Sequence, residues 1–383
     1  MTDYDKALSS FAPVEVPAIP AAELSARIAG LAGAMRGAGL AAVWLDATTS
    51  LTYYTGLELH GSERLHGALV RADGSLLYIT PNFERPKLET LIRLSAEIAV
   101  WEEDEDPFQL IAAPGPIGLD PGMGFGFASR LMAAPGLQVT SAGDLIAAQR
   151  RIKSPAELAI IQTAMDASYT VQKAVHAGLR PGIGTREVSG FIDAAHLACG
   201  LAPVFNAVQF GEATAYPHGV PHAQQLALGD MVLVDLGGSL HGYKSDITRS
   251  YVFGPVSARQ RHLWDCEYRA QQAAFAAARP GVSCAEIDAA ARASLVADGF
   301  GPGYAVPGLP HRTGHGLGLD LHEEPWIVGG NQMPLEPGMC FSIEPMLCVY
   351  GECGVRLEDI AVMTDTGPRW FCPPARSPET PFG

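Results

Sequence analysis

The sequence predicts an α+β protein in two unequal parts, a smaller α/β domain over residues 1–153 and a larger, internally repeated domain over 154–383. Three observations carry this. Strand and helix signals alternate before residue 150, a strong helix start follows at Ser154, and a weak repeat runs through the second part. A chain of 383 residues is long enough for two or three domains.

In the first part, a helical segment around Ala22–Arg36 precedes the apolar run Ala41-Ala42-Val43-Trp44-Leu45. Residues 68–80 read as two strands around the turn Ala72-Asp73-Gly74. Gly118-Leu119-Asp120 ends a further strand. The second part opens with Ser154-Pro155-Ala156-Glu157, a capping box with proline at the first helical position. Leu158, Ile161, Met165 and Val175 recur at helical spacing and Gly178 supplies a stop.

The repeat is read from seven positions at one constant offset of 99. Arg180-Pro181-Gly182, Glu187, Ala194, Ala198 and Gly200 correspond to Arg279-Pro280-Gly281, Glu286, Ala293, Ala297 and Gly299. Each half then continues into an apolar strand ending in a carboxylate, Met231–Val234 before Asp235 and Met339–Ile343 before Glu344.

Composition narrows the function. Hydrophobic residues make up 48% and charged residues 17%, the balance of a packed chain rather than a disordered one. The net charge of −15 speaks against nucleic acid, whose binding rests on many cationic contacts to phosphate. No stretch approaches the ~20 apolar residues that span a bilayer. The N-terminal segment lacks the basic start and apolar run of a signal peptide, so a cytoplasmic location with no membrane partner is expected. The seven scattered cysteines show no metal-site spacing and are expected to be reduced, buried thiols.

Chemistry concentrates in the second part. Asp235 ends an apolar run, and a hairpin through Gly237-Gly238 would return Asp246 to it. Glu344 and Glu358 are placed in the same way in the second half, and His311 and His315 lie between the halves. Carboxylates are rarely buried unless paired or metal-bound. Four acids and one imidazole form a mostly oxygen donor set, too many for one cation and suited to two ions of Mn²⁺, Co²⁺ or Zn²⁺. Two such ions, typically about 3.5–4 Å apart, activate water and polarise a carbonyl.

Five strings, in order, carry a resemblance: Val234-Asp235-Leu236-Gly237-Gly238, Ser245-Asp246-Ile247-Thr248-Arg249, Thr313-Gly314-His315-Gly316-Leu317-Gly318, Ser342-Ile343-Glu344-Pro345 and Arg356-Leu357-Glu358-Asp359. With them the second part resembles the pita-bread metallopeptidases, the family of methionine aminopeptidase, aminopeptidase P and prolidase. The resemblance implies that Asp235, Asp246, His315, Glu344 and Glu358 bind two metal ions, manganese first among them. It implies catalytic roles for His218, His322 and Glu344. It gives His311 a substrate role and places Arg356 beside the metal pocket, bracing Asp246 or meeting a substrate carboxylate. His222 is a competitor for the role of His218.

The front domain separates this chain from methionine aminopeptidase. Ser50–Gly56 and Arg151–Glu157 resemble segments of aminopeptidase P, prolidase and creatinase. The resemblance therefore implies hydrolysis of the bond before proline in short peptides, foremost Xaa-Pro dipeptides, by a homodimer. Tyr54 and His60 are front-domain candidates for substrate contact. The alternatives are aminopeptidase P action on longer peptides, a related amidohydrolase on a non-proline substrate, and a non-catalytic scaffold.

Overall fold

Ser154 opens the larger unit as its residue types dictate. Its hydroxyl accepts from the Glu157 backbone at 3.2 Å, and the Glu157 carboxylate accepts from the Ser154 backbone at 2.9 Å. Proline at the first position needs no partner for its missing N–H. The helix that follows, α1 (Pro155–Gly178), ends at the expected glycine. The structure, a computed structural model, describes residues 3–382.

Two compact units result, Pro17–Arg150 and a larger unit of Arg151–Gly383 together with the chain up to Val16. The first residues thus depart from the expected 1–153 grouping. Tyr4 stacks on Phe191 with ring centroids 4.0 Å apart and donates to the Val175 carbonyl. His241 hydrogen-bonds the Val16 carbonyl at 2.9 Å.

The smaller unit is a six-stranded mixed sheet. Its strand Ala42–Asp46 is fully buried and lies between Gly67–Arg71, antiparallel, and Ile117–Leu119, parallel. Gly67–Arg71 and Leu76–Pro81 form the expected hairpin, with Gly74 at φ 87°. Leucine, tryptophan and phenylalanine side chains on one face of this sheet form its core, among them Trp44, Leu69, Trp101 and Phe108. Tyr54 is fully buried there with its hydroxyl on Gln149 at 2.6 Å, so it is packing rather than a substrate contact. His60 lines a cavity of about 390 Å³ in this unit.

The larger unit shows the repeat as structure. Helices α1 and α2 (Thr185–Ala198) lead into strands β1 (Ala202–Phe210), β2 (Met231–Leu240), β3 (Tyr243–Lys244) and β4 (Ile247–Val252). Helices α3 (Ala258–Ala277) and α4 (Cys284–Ala297) lead into β5 (Gly314–Gly316), β6 (Glu323–Ile327) and β7 (Cys340–Ile343). Then come the hairpin β8 (Met346–Val349) and β9 (Cys353–Arg356), followed by β10 (Asp359–Thr364) and β11 (Gly367–Trp370). Helices α2 and α4 have equal length, 14 residues, and begin at the repeat offset. The strands form one sheet in the order β4-β2-β1, with β3 paired to β2, and a second in the order β6-β5-β7-β10-β11.

One expectation is corrected here. Asp235 does not end its strand, because β2 continues to Leu240 and turns through His241 and Gly242, both at positive φ. Gly237 permits this, since a Cβ there would lie 2.3 Å from the Ser245 carbonyl and 2.4 Å from the Phe205 ring. All seven cysteines are buried and unpaired. Among the described residues no helix is long and apolar enough to cross a membrane.

Candidate metal centre and active site

Antiparallel pairing brings the four acids together. Asp235 on β2 sits opposite Thr248 on β4, with Asp246 just before that strand. On β7 and β10, Ile343 pairs with Asp359, so Glu344 and Glu358 leave the ladder at its next step. The two halves thus present equivalent pairs of carboxylates. His315 arrives on β5, whose backbone N–H donates to Ser342 Oγ at 2.9 Å.

The His315 ring is oriented by its own backbone. Its Nδ1 lies 2.9 Å from the Gly316 carbonyl, which can only accept, so the proton belongs on Nδ1. Nε2 then faces the acids, 3.0 Å from Glu344, 3.5 Å from Asp246 and 4.0 Å from Glu358. A lone pair aimed among carboxylates suits a shared cation, and this second-nitrogen bond is how a metal-binding imidazole is normally held.

Three overlapping triads have ligand atoms within 4.8 Å of one another: Asp246, His315 and His322; His315, Glu344 and Glu358; and Asp235, Asp246 and Glu358. All five predicted ligands appear, three of them twice, which matches residues shared between two ions. Two buried oxygens, Asp235 Oδ1 and Glu358 Oε1, have no hydrogen-bond partner among the described residues. Buried polar atoms normally find one. The donor set and these two oxygens fit divalent cations.

The electrostatics agree. Burial first, then Asp235 and Glu344, push the Asp246 carboxyl well above its usual range. Burial first, then Asp246 and Glu344, do the same to Glu358. Burial also raises Asp235, with Arg356 opposing it. Burial acts upward on Glu344 too, but His315, His311 and Arg356 together outweigh it and hold that carboxyl at about 2. Such a cluster is compensated when cations enter it.

A cavity of about 950 Å³ exposes this cluster, and His218, His311 and His322 also line it. Burial first, then His315, push His322 down to about 4, with Arg312 and His218 adding to this and Glu344 opposing. The imidazole is therefore neutral near pH 7. His322 lies against His315, ring centroids 4.2 Å apart, so its position admits a ligand role as well as the expected catalytic one. His311 directs Nδ1 to the Arg312 carbonyl at 2.7 Å. Burial lowers its pKa, with Glu344 opposing. His222 is exposed and does not line the cavity.

Arg356 braces Asp235, at 2.7 Å, rather than Asp246. It also donates to Thr248 Oγ1 at 3.1 Å and to the Pro217 carbonyl at 3.0 Å. Thr248 in turn donates to Glu358 Oε2 at 2.7 Å. Sequence reasoning missed several supporting residues. Lys153, 1% exposed at its side chain, pairs with Glu323 beside His322 at 2.6 Å. Asp288 accepts from the Thr313 backbone and hydroxyl, fixing the approach to His315. A lysine in a junction and an aspartate within a helix carry no motif that would mark them.

Fold and cluster together define a metal-dependent hydrolase. Residues 159–365 match metallopeptidase family M24, and residues 27–152 match the creatinase/prolidase N-terminal domain. The chain is 35% identical over 350 residues to the Mycobacterium tuberculosis protein named "Probable dipeptidase PepE", covering 89% of this chain and 92% of that one. It is 31% identical to the Xaa-Pro dipeptidase of Lactobacillus helveticus, covering 86% and 91%. The crystal structure of dipeptidase PepE from Mycobacterium ulcerans superposes with a TM-score of 0.88 at 35% identity, covering 95% and 98%. The chain belongs to metallopeptidase family M24 and has its pita-bread fold. Divalent metal ions go with that family.

Proposed function

We propose that this enzyme hydrolyses the bond before proline in Xaa-Pro dipeptides with two divalent cations, manganese by preference, held by Asp235, Asp246, His315, Glu344 and Glu358. The observation that carries the reading is the convergence of these five residues in overlapping triads with two buried oxygens left unpartnered. The name of the Lactobacillus helveticus relative supports the choice of substrate.

Two cations bound there would polarise the scissile carbonyl and lower the pKa of water to near neutrality. Glu344, held ionised, accepts a proton from the attacking water and returns it to the proline nitrogen as the C–N bond breaks. Neutral His322 donates a hydrogen bond to the carbonyl oxygen as negative charge develops on it. His218 and His311 line the same cavity and position the substrate. Arg356 keeps Asp235 in place. A homodimer in the cytoplasm is part of this reading, by resemblance to the family.

A panel of Ala-Pro, Gly-Pro, Ala-Ala and Ala-Pro-Ala, assayed with manganese, tests the assignment. Cleavage confined to the two Xaa-Pro dipeptides is expected. Cleavage of Ala-Pro-Ala would move the enzyme to aminopeptidase P action. Cleavage of Ala-Ala in preference to Ala-Pro would remove proline from the account.

A further inference from the structure

We infer that Gln172 and Gln271 are positioning residues of the metal centre, one from each half of the repeat, each holding the backbone on which metal-facing acids stand. The inference rests on the two-cation reading above and gives the two glutamines different effects on the ions.

The offset of 99 that relates the two halves also relates Gln172 to Gln271. Gln172 lies on α1 and Gln271 on α3, and both side chains are fully buried. Apolar residues share their buried faces, Met165 and Val175 on α1, Ala270 and Ala274 on α3. A primary amide in such surroundings costs free energy unless it is hydrogen-bonded. Both amides find their partners on the segments that carry the acids.

Gln172 Nε2 donates to the Val234 carbonyl at 2.8 Å and to the Ile247 carbonyl at 3.1 Å. Both partners can only accept, which fixes the amide with its nitrogen towards the strands. The Val234 carbonyl belongs to the peptide group that leads into Asp235, and Ile247 directly follows Asp246. One side chain therefore ties β2 to β4 at both aspartates. Helix α1 also holds the other side of Asp246, where Ser168 Oγ lies 2.7 Å from Ser245 Oγ. Gln271 Nε2 donates to the Leu357 carbonyl at 3.1 Å and to Asp359 Oδ2 at 3.1 Å. Leu357 and Asp359 stand on either side of Glu358. Arg249, from the first half, holds the other oxygen of Asp359 at 2.7 Å.

The overlapping triads separate the two roles. Asp235 and Asp246 stand with Glu358 in one triad, and His315 and Glu344 stand with Glu358 in another. Gln172 thus serves the ion held by the two aspartates, whereas Gln271 serves Glu358, which both triads share. Ligand oxygens bind well only when kept within about 0.5 Å of their places. Four acids repel one another while the ions are away, and that repulsion spreads them. Strand carbonyls tied to a buried helix oppose the spreading and keep the carboxylates at coordination spacing.

The test is a calorimetric manganese titration of the full chain, with electron paramagnetic resonance on the same samples. Gln172→Met is expected to weaken one ion by about 10- to 100-fold and to leave the other within about threefold of wild type, the range seen when a group that orients a ligand is removed. Its spectrum at intermediate manganese should show isolated ions where wild type shows a spin-coupled pair. Gln271→Met should weaken both ions by about 10-fold or more. Gln172→Leu, which suits the apolar face of α1, gives the same reading should the methionine variant fold poorly. Ser154→Ala is the control for lost stability alone, and it should melt lower while binding both ions as wild type does. Two ions in wild type with unchanged affinities in the glutamine variants would overturn the inference, as would the same weakening of both ions by both variants. A wild type that takes up fewer than two ions would instead defeat the two-cation reading, and the inference with it.

Discussion

Arg356 Nη2 donates to Asp235 Oδ2 at 2.7 Å, joining a strand of the second half of the repeat to a carboxylate of the first. Its other terminal nitrogen holds the Pro217 carbonyl, next to His218, at 3.0 Å. One fully desolvated side chain thus orients a metal-facing acid and a cavity histidine together. Arg356→Met is expected to weaken manganese binding by about 10- to 100-fold, the usual effect of removing a group that orients a ligand. Titration calorimetry with manganese checks this, and an unchanged affinity would reduce Arg356 to packing.

Direct ligands should behave more severely. Asp246→Asn and His315→Ala are each expected to lower bound metal by about one ion per chain and turnover by at least about 1000-fold. Both residues belong to two of the overlapping triads, so neither loss can be absorbed by the remaining set. Elemental analysis and turnover on the same preparation decide it. Full turnover with undiminished metal in either variant would remove that residue from the site.

Glu267 offers a pH prediction away from the metal ligands. It is fully buried on α3, both carboxylate oxygens lack a hydrogen-bond partner among the described residues, and burial raises its pKa well above the ordinary range while Arg356 opposes the shift. A folded-state pKa above the unfolded one means that the folded protein binds the extra proton. Its contribution is complete below about pH 4 and is lost as pH rises through the folded value. Glu267→Gln removes this dependence. Relative to wild type, the variant should gain stability as pH rises from the unfolded value towards the raised folded one, by up to ~1.4 kcal/mol per pH unit. Thermal unfolding of both manganese-loaded proteins across that range measures it, and parallel curves would show that Glu267 does not titrate there.

Ser154→Ala removes one half of the capping box that starts α1. The expected loss is about 1 kcal/mol, since the Glu157 backbone N–H loses its acceptor. Denaturant unfolding of the larger unit reports it. An unchanged midpoint would mean that packing alone sets the start of the helix.

Much of the site was legible because its residues break local rules. Asp235 interrupts an apolar strand, and Glu344 and Glu358 follow apolar runs, so each acid announces a burial that needs compensation. The capping box at Ser154 marked the start of α1 and the repeat offset related α2 to α4, since those signals lie in the sequence itself. What escaped depends on distant partners. That Asp235 lies mid-strand follows from Gly237 fitting beneath Phe205 and Ser245. That Arg356 pairs with Asp235 instead of Asp246 is set by the register between β2 and β4 and their approach to β9. The first residues join the larger unit because Tyr4 finds Phe191, a contact across most of 190 positions that no local pattern encodes. Lys153 is an ordinary junction lysine in the sequence; only its burial against Glu323 marks it as part of the site's support.

The central claim is that turnover depends on cations held by this carboxylate–imidazole cluster. Metal content and Ala-Pro hydrolysis, measured on one sample before chelation, after chelation and after manganese is restored, test it most directly. About two ions per chain, activity lost with them and regained on their return are expected. Full hydrolysis by a protein stripped of metal would contradict the account.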